Sequence, residues 1–241
     1  MPRPSQADVA NRVLSVMRAE SFERLRPILE FVDLPTRSVL VGAGAAITHL
    51  YFLERGLASV VASNLDSEEI EVGHVGWEGV CGVACLLGVT STSTRTFMQI
   101  AGSGYRVAAA ALIDVMGRDA DLSLLLQRYI YTMEVQLAHS ALANGRYSMQ
   151  QRLARWLLMC HDRIEGDQLP LTHEFLSLML GVRRSGVTNE IHVLEGYGLL
   201  KATRGLIRIV DRCGLEALAG GCYGIPEREY ERLLGIGLKV A

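Results

Sequence analysis

The sequence predicts an α+β protein in three parts: an N-terminal β-roll, one long helix, and a C-terminal helix-turn-helix followed by a β-hairpin. Three observations lead there. From Ser38 to about Ala109 short β-rich runs are separated by glycines; around Asp119 a helical pattern begins that no Pro or Gly interrupts through Asn144; from Leu171 to Val210 two short helical patterns joined at Gly181 give way to a hairpin. The expected division is 1–117 for the roll, 118–144 for the long helix and 145–241 for the winged domain.

The stretch from about Ala10 to Val32 reads as one or two short helices, V-L-S-V-M and F-E-R-L-R-P-I-L-E-F-V, with Pro27 tolerated near a helix start. The β-rich runs that follow are S-V-L-V, T-H-L-Y-F-L, L-A-S-V-V-A, E-I-E-V-G-H-V, R-T-F-M-Q-I and Y-R-V-A-A. Regularly spaced short strands with Gly punctuation suggest a sandwich or roll, which can enclose a small ligand.

Along the long helix Leu122, Leu125 or Leu126, Tyr129, Met133 and Gln136 recur at a spacing close to 3.5, a seam suited to a second copy. A helix buried within its own domain is the other reading. The next helix, from Tyr147, presents Leu153, Trp156, Leu157 and Cys160 inward, with Arg152 and Arg155 expected outside. Gly166 and Pro170 mark the loop after it.

In the helix pair, Thr172 is placed to cap the first helix, Glu174 suits its positive N-terminal end, and Phe175, Leu176, Met179 and Leu180 form its apolar face. In the second helix Val187, Ile191 and Leu194 face inward at i, i+4 and i+7, so Arg184, Ser185, Thr188, Asn189 and His192 point outward. Such a second helix enters the DNA major groove with its N-terminal residues against base edges. Arg forks onto guanine, Asn pairs with adenine, and Ser or Thr serves either. After Gly198 the runs Leu199–Ala202 and Leu206–Val210, joined by Thr203-Arg204-Gly205, form a wing. Between 181 and 212 the basic residues Arg183, Arg184, Lys201, Arg204, Arg208 and Arg212 outnumber Glu190, Glu195 and Asp211, although the whole chain carries −2. Positive charge is concentrated where phosphates would be met. The candidate DNA contacts are Thr172, His173, Arg183, Arg184, Ser185, Thr188, Asn189 and Arg204.

At 241 residues, 49% hydrophobic and 21% charged, the chain has a globular composition and room for two modest cores. Its N-terminus has no apolar signal core and no stretch approaches the roughly 18 apolar residues of a membrane helix, so a cytoplasmic protein is expected. Five scattered cysteines do not form a disulfide framework. Cys81 and Cys85, spaced C-x3-C, read as buried thiols, with metal binding or redox sensing as the alternative. The sequence contains no clustered His metal motif, nucleophile elbow or P-loop, and an enzyme is not expected.

This order of parts resembles the Crp/Fnr family of bacterial transcription regulators over roughly Asn11 to Leu218. The marks are Y-F-L-E-R-G-L-A-S-V at 51–60, R-L-A-R-W-L-L at 152–158 and L-T-H-E-F-L-S-L-M-L-G-V-R-R-S-G-V-T at 171–188. The resemblance implies a cyclic-nucleotide-binding-like sensor fold and a homodimer on double-stranded DNA. Its operator would be palindromic, with half-sites ~34 Å apart or a multiple of that. The resemblance also allows RNA polymerase as a partner.

The cassette that holds cyclic AMP in the best-known members aligns on Gly82, Val83, Arg95 and Thr96. Val83 stands where those members have the glutamate for the ribose, and Leu137 and Ala138 stand where they offer Thr-Ser to the adenine. Unpartnered ligand groups cost about 1–3 kcal/mol each, so tight cyclic AMP binding is not expected. Arg95 either grips another anion or makes a structural ion pair. Residues 1–80 contain no cysteine, which excludes the N-terminal iron–sulfur cluster of the oxygen-sensing branch. The effector and any cofactor remain unassigned. The recognition helix has Arg183 at its cap and Arg184-Ser185 after it in place of Ser and Arg-Glu, so the operator should differ from that branch's TGTGA half-site. The tail past Cys213, with amphipathic E-R-E-Y-E-R-L-L, reads as a helix packing on the DNA domain. A rival reading makes the chain a small-ligand-binding module whose helix pair contacts a protein partner.

Overall fold

The computed structural model describes residues 4–239. Two short helices, α1 (Arg12–Ser15) and α2 (Ala19–Leu25), open the chain; Asn11 caps α1 by accepting from the Leu14 amide. The apolar run expected to continue as helix instead becomes strand β1 (Glu30–Leu34), because its backbone finds an antiparallel partner in residues 102–106.

Two long strands form the spine of the roll. β3 (His49–Ser63) and β6 (Arg95–Ala108) pair antiparallel along most of their lengths, so four of the runs read separately from the sequence are halves of two strands. Register shifts between Leu53 and Ala58 bend the ribbon. The bend needs glycine at Gly102, where a Cβ would collide with the Arg55 carbonyl, and at Gly56, whose φ is 85°. The bent spine carries different short strands at its two ends. β2 (Val39–Val41) and β4 (Glu69–Val75) flank one half, and β1 and β5 (Val80–Cys81) flank the other.

α3 (Ala109–Met116) leads into α4 (Ala120–Arg146), a 27-residue helix capped by Asp119 through the Leu122 amide. Leu122, Leu126, Tyr129 and Gln136 of the expected dimer seam are buried in α4's own protomer. Leu122, Leu126 and Tyr129 join Phe22, Leu50, Phe52, Val107 and Leu112 in the core of the roll. Each such side chain contributes about 1.5–3 kcal/mol by leaving water, which decides the orientation of the helix. The side left outward carries Leu124, Tyr131, Leu137, Ala138 and Leu142.

α5 (Met149–Asp162) starts at a capping box, with Ser148 accepting from the Gln151 amide and Gln151 accepting from Ser148 N–H. Arg155, expected on the outside, is buried and donates to Ser140 Oγ at 3.2 Å, because α5 lies between α4, the roll and the winged module. Arg152 is half-buried and donates to the Leu180 carbonyl. The winged module then comprises β7 (Gln168–Leu169), α6 (His173–Leu180), α7 (Arg184–Gly196), β8 (Leu200–Thr203), β9 (Leu206–Ile209) and α8 (Arg212–Ala219). β7 extends the hairpin to a three-stranded sheet in the order β7-β9-β8.

The module is docked on the roll. Leu57, Val61 and Phe97 share one core with Trp156, Leu157, Leu176, Val187, Ile191 and Leu194. Trp156 Nε1 donates to Glu71 at 2.7 Å, and buried Arg163 pairs with buried Glu78 at 2.7 Å. Finally α9 (Ile225–Leu234) is helical as expected, but it packs on α4 and the roll rather than on the DNA domain: Tyr230, Leu234 and Leu238 lie in the core of the roll. Among the described residues no helix is long and apolar enough to cross a membrane.

Candidate nucleic-acid interface

The helix pair is held from beneath and displayed on one side. Thr172 accepts from the Phe175 amide and so caps α6, while Glu174 sits in its first turn. α6 ends at Gly181, whose φ of 63° is the left-handed conformation that lets the chain turn within three residues into α7. Arg152 donates to the Leu180 carbonyl at 2.6 Å, which satisfies a carbonyl that the helix end leaves open. Val187, Ile191 and Leu194 are fully buried, and they fix the rotation of α7.

That rotation leaves Arg183, Arg184, Ser185, Asn189 and His192 exposed on one surface. Arg183 is at the N-cap position and makes no side-chain cap, so the first turn of α7 keeps free amides pointing outward beside two guanidinium groups. Thr188 is less available than its neighbours. Its hydroxyl donates to the Arg184 carbonyl at 3.1 Å and accepts from His173 Nδ1 at 3.0 Å. His173 thereby ties the start of α6 to α7; burial first, then His192 and Arg184, hold its imidazole below its ordinary pKa.

Arg204 lies at the turn of the wing, and Lys201 and Arg208 occur at paired positions of β8 and β9; all three are exposed. The wing is tied to the reading helix by a contact that residue types alone do not reveal. Glu195 Oε1 accepts from the Ala202 amide at 2.8 Å, and its other oxygen faces His192 Nδ1 at 3.3 Å. One of the three acidic residues of this region is therefore engaged in tying the wing to α7.

In the roll, Gly82 and Val83 begin a 3-10 turn (Val83–Leu87), with Gly82 against the His49 carbonyl near the start of β3. Arg95 and buried Thr96 lie opposite Val61 and Val60, towards the other end of that strand. Arg95 Nη2 donates to both carboxylate oxygens of Glu69, at 2.8 and 2.9 Å, and the guanidinium lies over the Phe97 ring at 4.8 Å. Cys81 and Cys85 are buried free thiols, and burial raises the pKa of both.

A β-roll, a long helix and a docked winged helix-turn-helix define the class of molecule. Residues 151–218 match the family model of the Crp-like helix-turn-helix domain. A protein from Eubacterium rectale described as a Crp/Fnr-family transcriptional regulator superposes with a TM-score of 0.67 at 17% identity, over 86% of this chain and 97% of its own. FixK2 from Bradyrhizobium japonicum gives 0.70 at 17% identity, over 80% and 98%. The c-di-GMP-responsive global regulator CLP of Xanthomonas campestris gives 0.63 at 18%, over 80% and 99%. No curated protein matches the sequence. The chain thus carries a Crp-like helix-turn-helix domain within the fold of the Crp/Fnr transcription regulators.

Proposed function

We propose that the protein is a homodimeric transcription regulator that reads a palindromic operator through α7 and braces on phosphates through the wing. The observation that carries this reading is the surface of Arg183, Arg184, Ser185, Asn189 and His192, held outward by three fully buried side chains. Residues 1–117 serve as sensor, 118–144 as dimerisation helix and 145–241 as reader, with α9 returning to the sensor.

The outward side of α4 supports the dimer. Leu124, Tyr131 and Ala138 follow one another at seven-residue steps, with Val135 and Leu142 between and beyond them, an apolar seam for a parallel helix of a second copy. The sensor is not built for cyclic AMP in this reading: Val83 offers no acceptor to a ribose, and Arg95 is already matched by Glu69. Two arginine-matched oxygens would have to be displaced before a cyclic phosphate could take their place.

Selection of duplexes from genomic fragments by the purified protein, repeated at several salt concentrations, tests the proposal. A palindromic preference that survives physiological salt, unchanged by added cyclic AMP, is expected. Binding without sequence preference rejects it.

A further inference from the structure

Past the winged module the chain returns to the roll. After α8 it passes Gly220 and Gly224, at φ 53° and 107°, and α9 crosses back to lie along α4. The Tyr230 hydroxyl donates to the Glu78 carbonyl at 2.6 Å, in the loop of the roll that precedes β5. Leu234 and Leu238 are buried with Phe52 and Leu126, and Trp77 Nε1 donates to the carbonyls of both Asp162 and Leu238. The winged module is therefore tied to the roll on two sides, covalently through the α4–α5 junction and non-covalently through α9, which the chain carries back to the roll.

The arrangement held in this way places carboxylates beside the reading surface. Gly181 of the helix-turn-helix lies against Ile70 of β4. One cleft of about 1090 Å³ is lined by Glu68 and Glu69 of the β3–β4 hairpin on one side and by Thr172 and Arg183 on the other. Glu69 is neutralised by Arg95, whereas Glu68 receives only the uncharged Asn64 amide among the described residues, and Asp66 is exposed at the hairpin. Arg183 and Glu68 line the same cleft, so phosphates drawn to Arg183 are repelled by the Glu68 carboxylate, and salt screens that repulsion.

We propose that residues 225–238 form an intramolecular strap that holds the winged module docked against the acidic hairpin, and that release of α9 raises affinity for the operator. The proposal rests on the DNA reading above. The test compares full-length Tyr230→Phe and Leu234→Ala with the parent protein, by amide hydrogen exchange and by titration of the duplex that the parent selects. Both variants should keep the parent's helical circular dichroism and exchange faster in β4 and α6. Operator Kd should fall about fivefold for Tyr230→Phe, the share of one hydrogen bond, and further for Leu234→Ala. An Asp66→Asn, Glu68→Gln double variant, which leaves strap and core intact, should bind more tightly without faster exchange, and its gain should vanish at high salt. Unchanged exchange in both strap variants overturns the strap. Faster exchange with unchanged or weaker operator binding overturns its inhibitory role. A protein that opens in this way and selects no duplex overturns the DNA reading and the inhibitory role together, while faster exchange still establishes the tether.

Discussion

Arg184 and His161 show how differently an exposed and a buried side chain are tested. Arg184 is exposed in the first turn of α7 and belongs to no hydrophobic cluster, so Arg184→Ala should leave the fold and the dimer intact. It should cost about 1–3 kcal/mol of operator affinity and relax the preference at one base pair of each half-site. Gel shifts against single-base operator variants measure both; a uniform loss over all variants would assign Arg184 to a phosphate instead. His161 is buried, with Asp167 at 2.8 Å and Arg212 and Lys239 nearby. Burial, reinforced by the two cations and opposed by Asp167, holds its imidazole below the ordinary value. The unfolded chain therefore takes up a proton first as pH falls through about 6.5, and stability is lost in that direction. Urea unfolding of His161→Gln should show a shallower loss between about pH 6.5 and 5 than the parent, and equal slopes would remove His161 from the acid sensitivity. The outward residues of α7 were legible because helical periodicity alone assigns them. Arg155 was not, since an arginine on a helix flank reads as solvated until α4 is seen to cover it with the Ser140 hydroxyl.

At the scale of elements, the proposed dimer rests on α4. Its 3.5-residue spacing was visible in the sequence, but such a helix has apolar residues on two sides and periodicity does not say which side the roll takes. The core of Phe22, Leu50, Phe52 and Leu112 took Leu122, Leu126 and Tyr129, and left Leu124, Tyr131, Ala138 and Leu142 outward. Tyr131→Glu should therefore split the dimer, because it sets like charges against each other across an apolar two-fold seam. Its monomer should stay folded, since Tyr131 is 48% exposed in the protomer. Sedimentation velocity decides: a variant that remains dimeric at micromolar concentration places the two-fold contact elsewhere. The strands show the same limit. Their composition was legible run by run, yet the fusion of four runs into β3 and β6 depended on a bend made by Gly56 and Gly102 across the ribbon. Separate runs and one bent strand share a single local signature, and only cross-strand pairing distinguishes them.

For the whole molecule, the docking of the winged module on the roll was not legible at all. It depends on contacts such as Glu78 with Arg163 and Tyr230 with the Glu78 carbonyl, between residues far apart in the chain. The amphipathic pattern of α9 announced a helix but not the surface it covers. Whether the proposed dimer grips DNA with both wings is nevertheless measurable through one residue. Arg204 is exposed at the wing turn, and in the proposed complex it meets a phosphate rather than a base edge. Each phosphate neutralised on a duplex steepens the fall of log affinity with log salt by about 0.9. Arg204→Ala should then weaken binding about equally for every operator variant and reduce the magnitude of the salt slope by about 0.9 for each wing engaged. A symmetric dimer engages two wings, so the expected change is about 1.8. A change of half that size would mean that a single half-site is gripped, and an unchanged slope would mean that the wing stays clear of the DNA backbone.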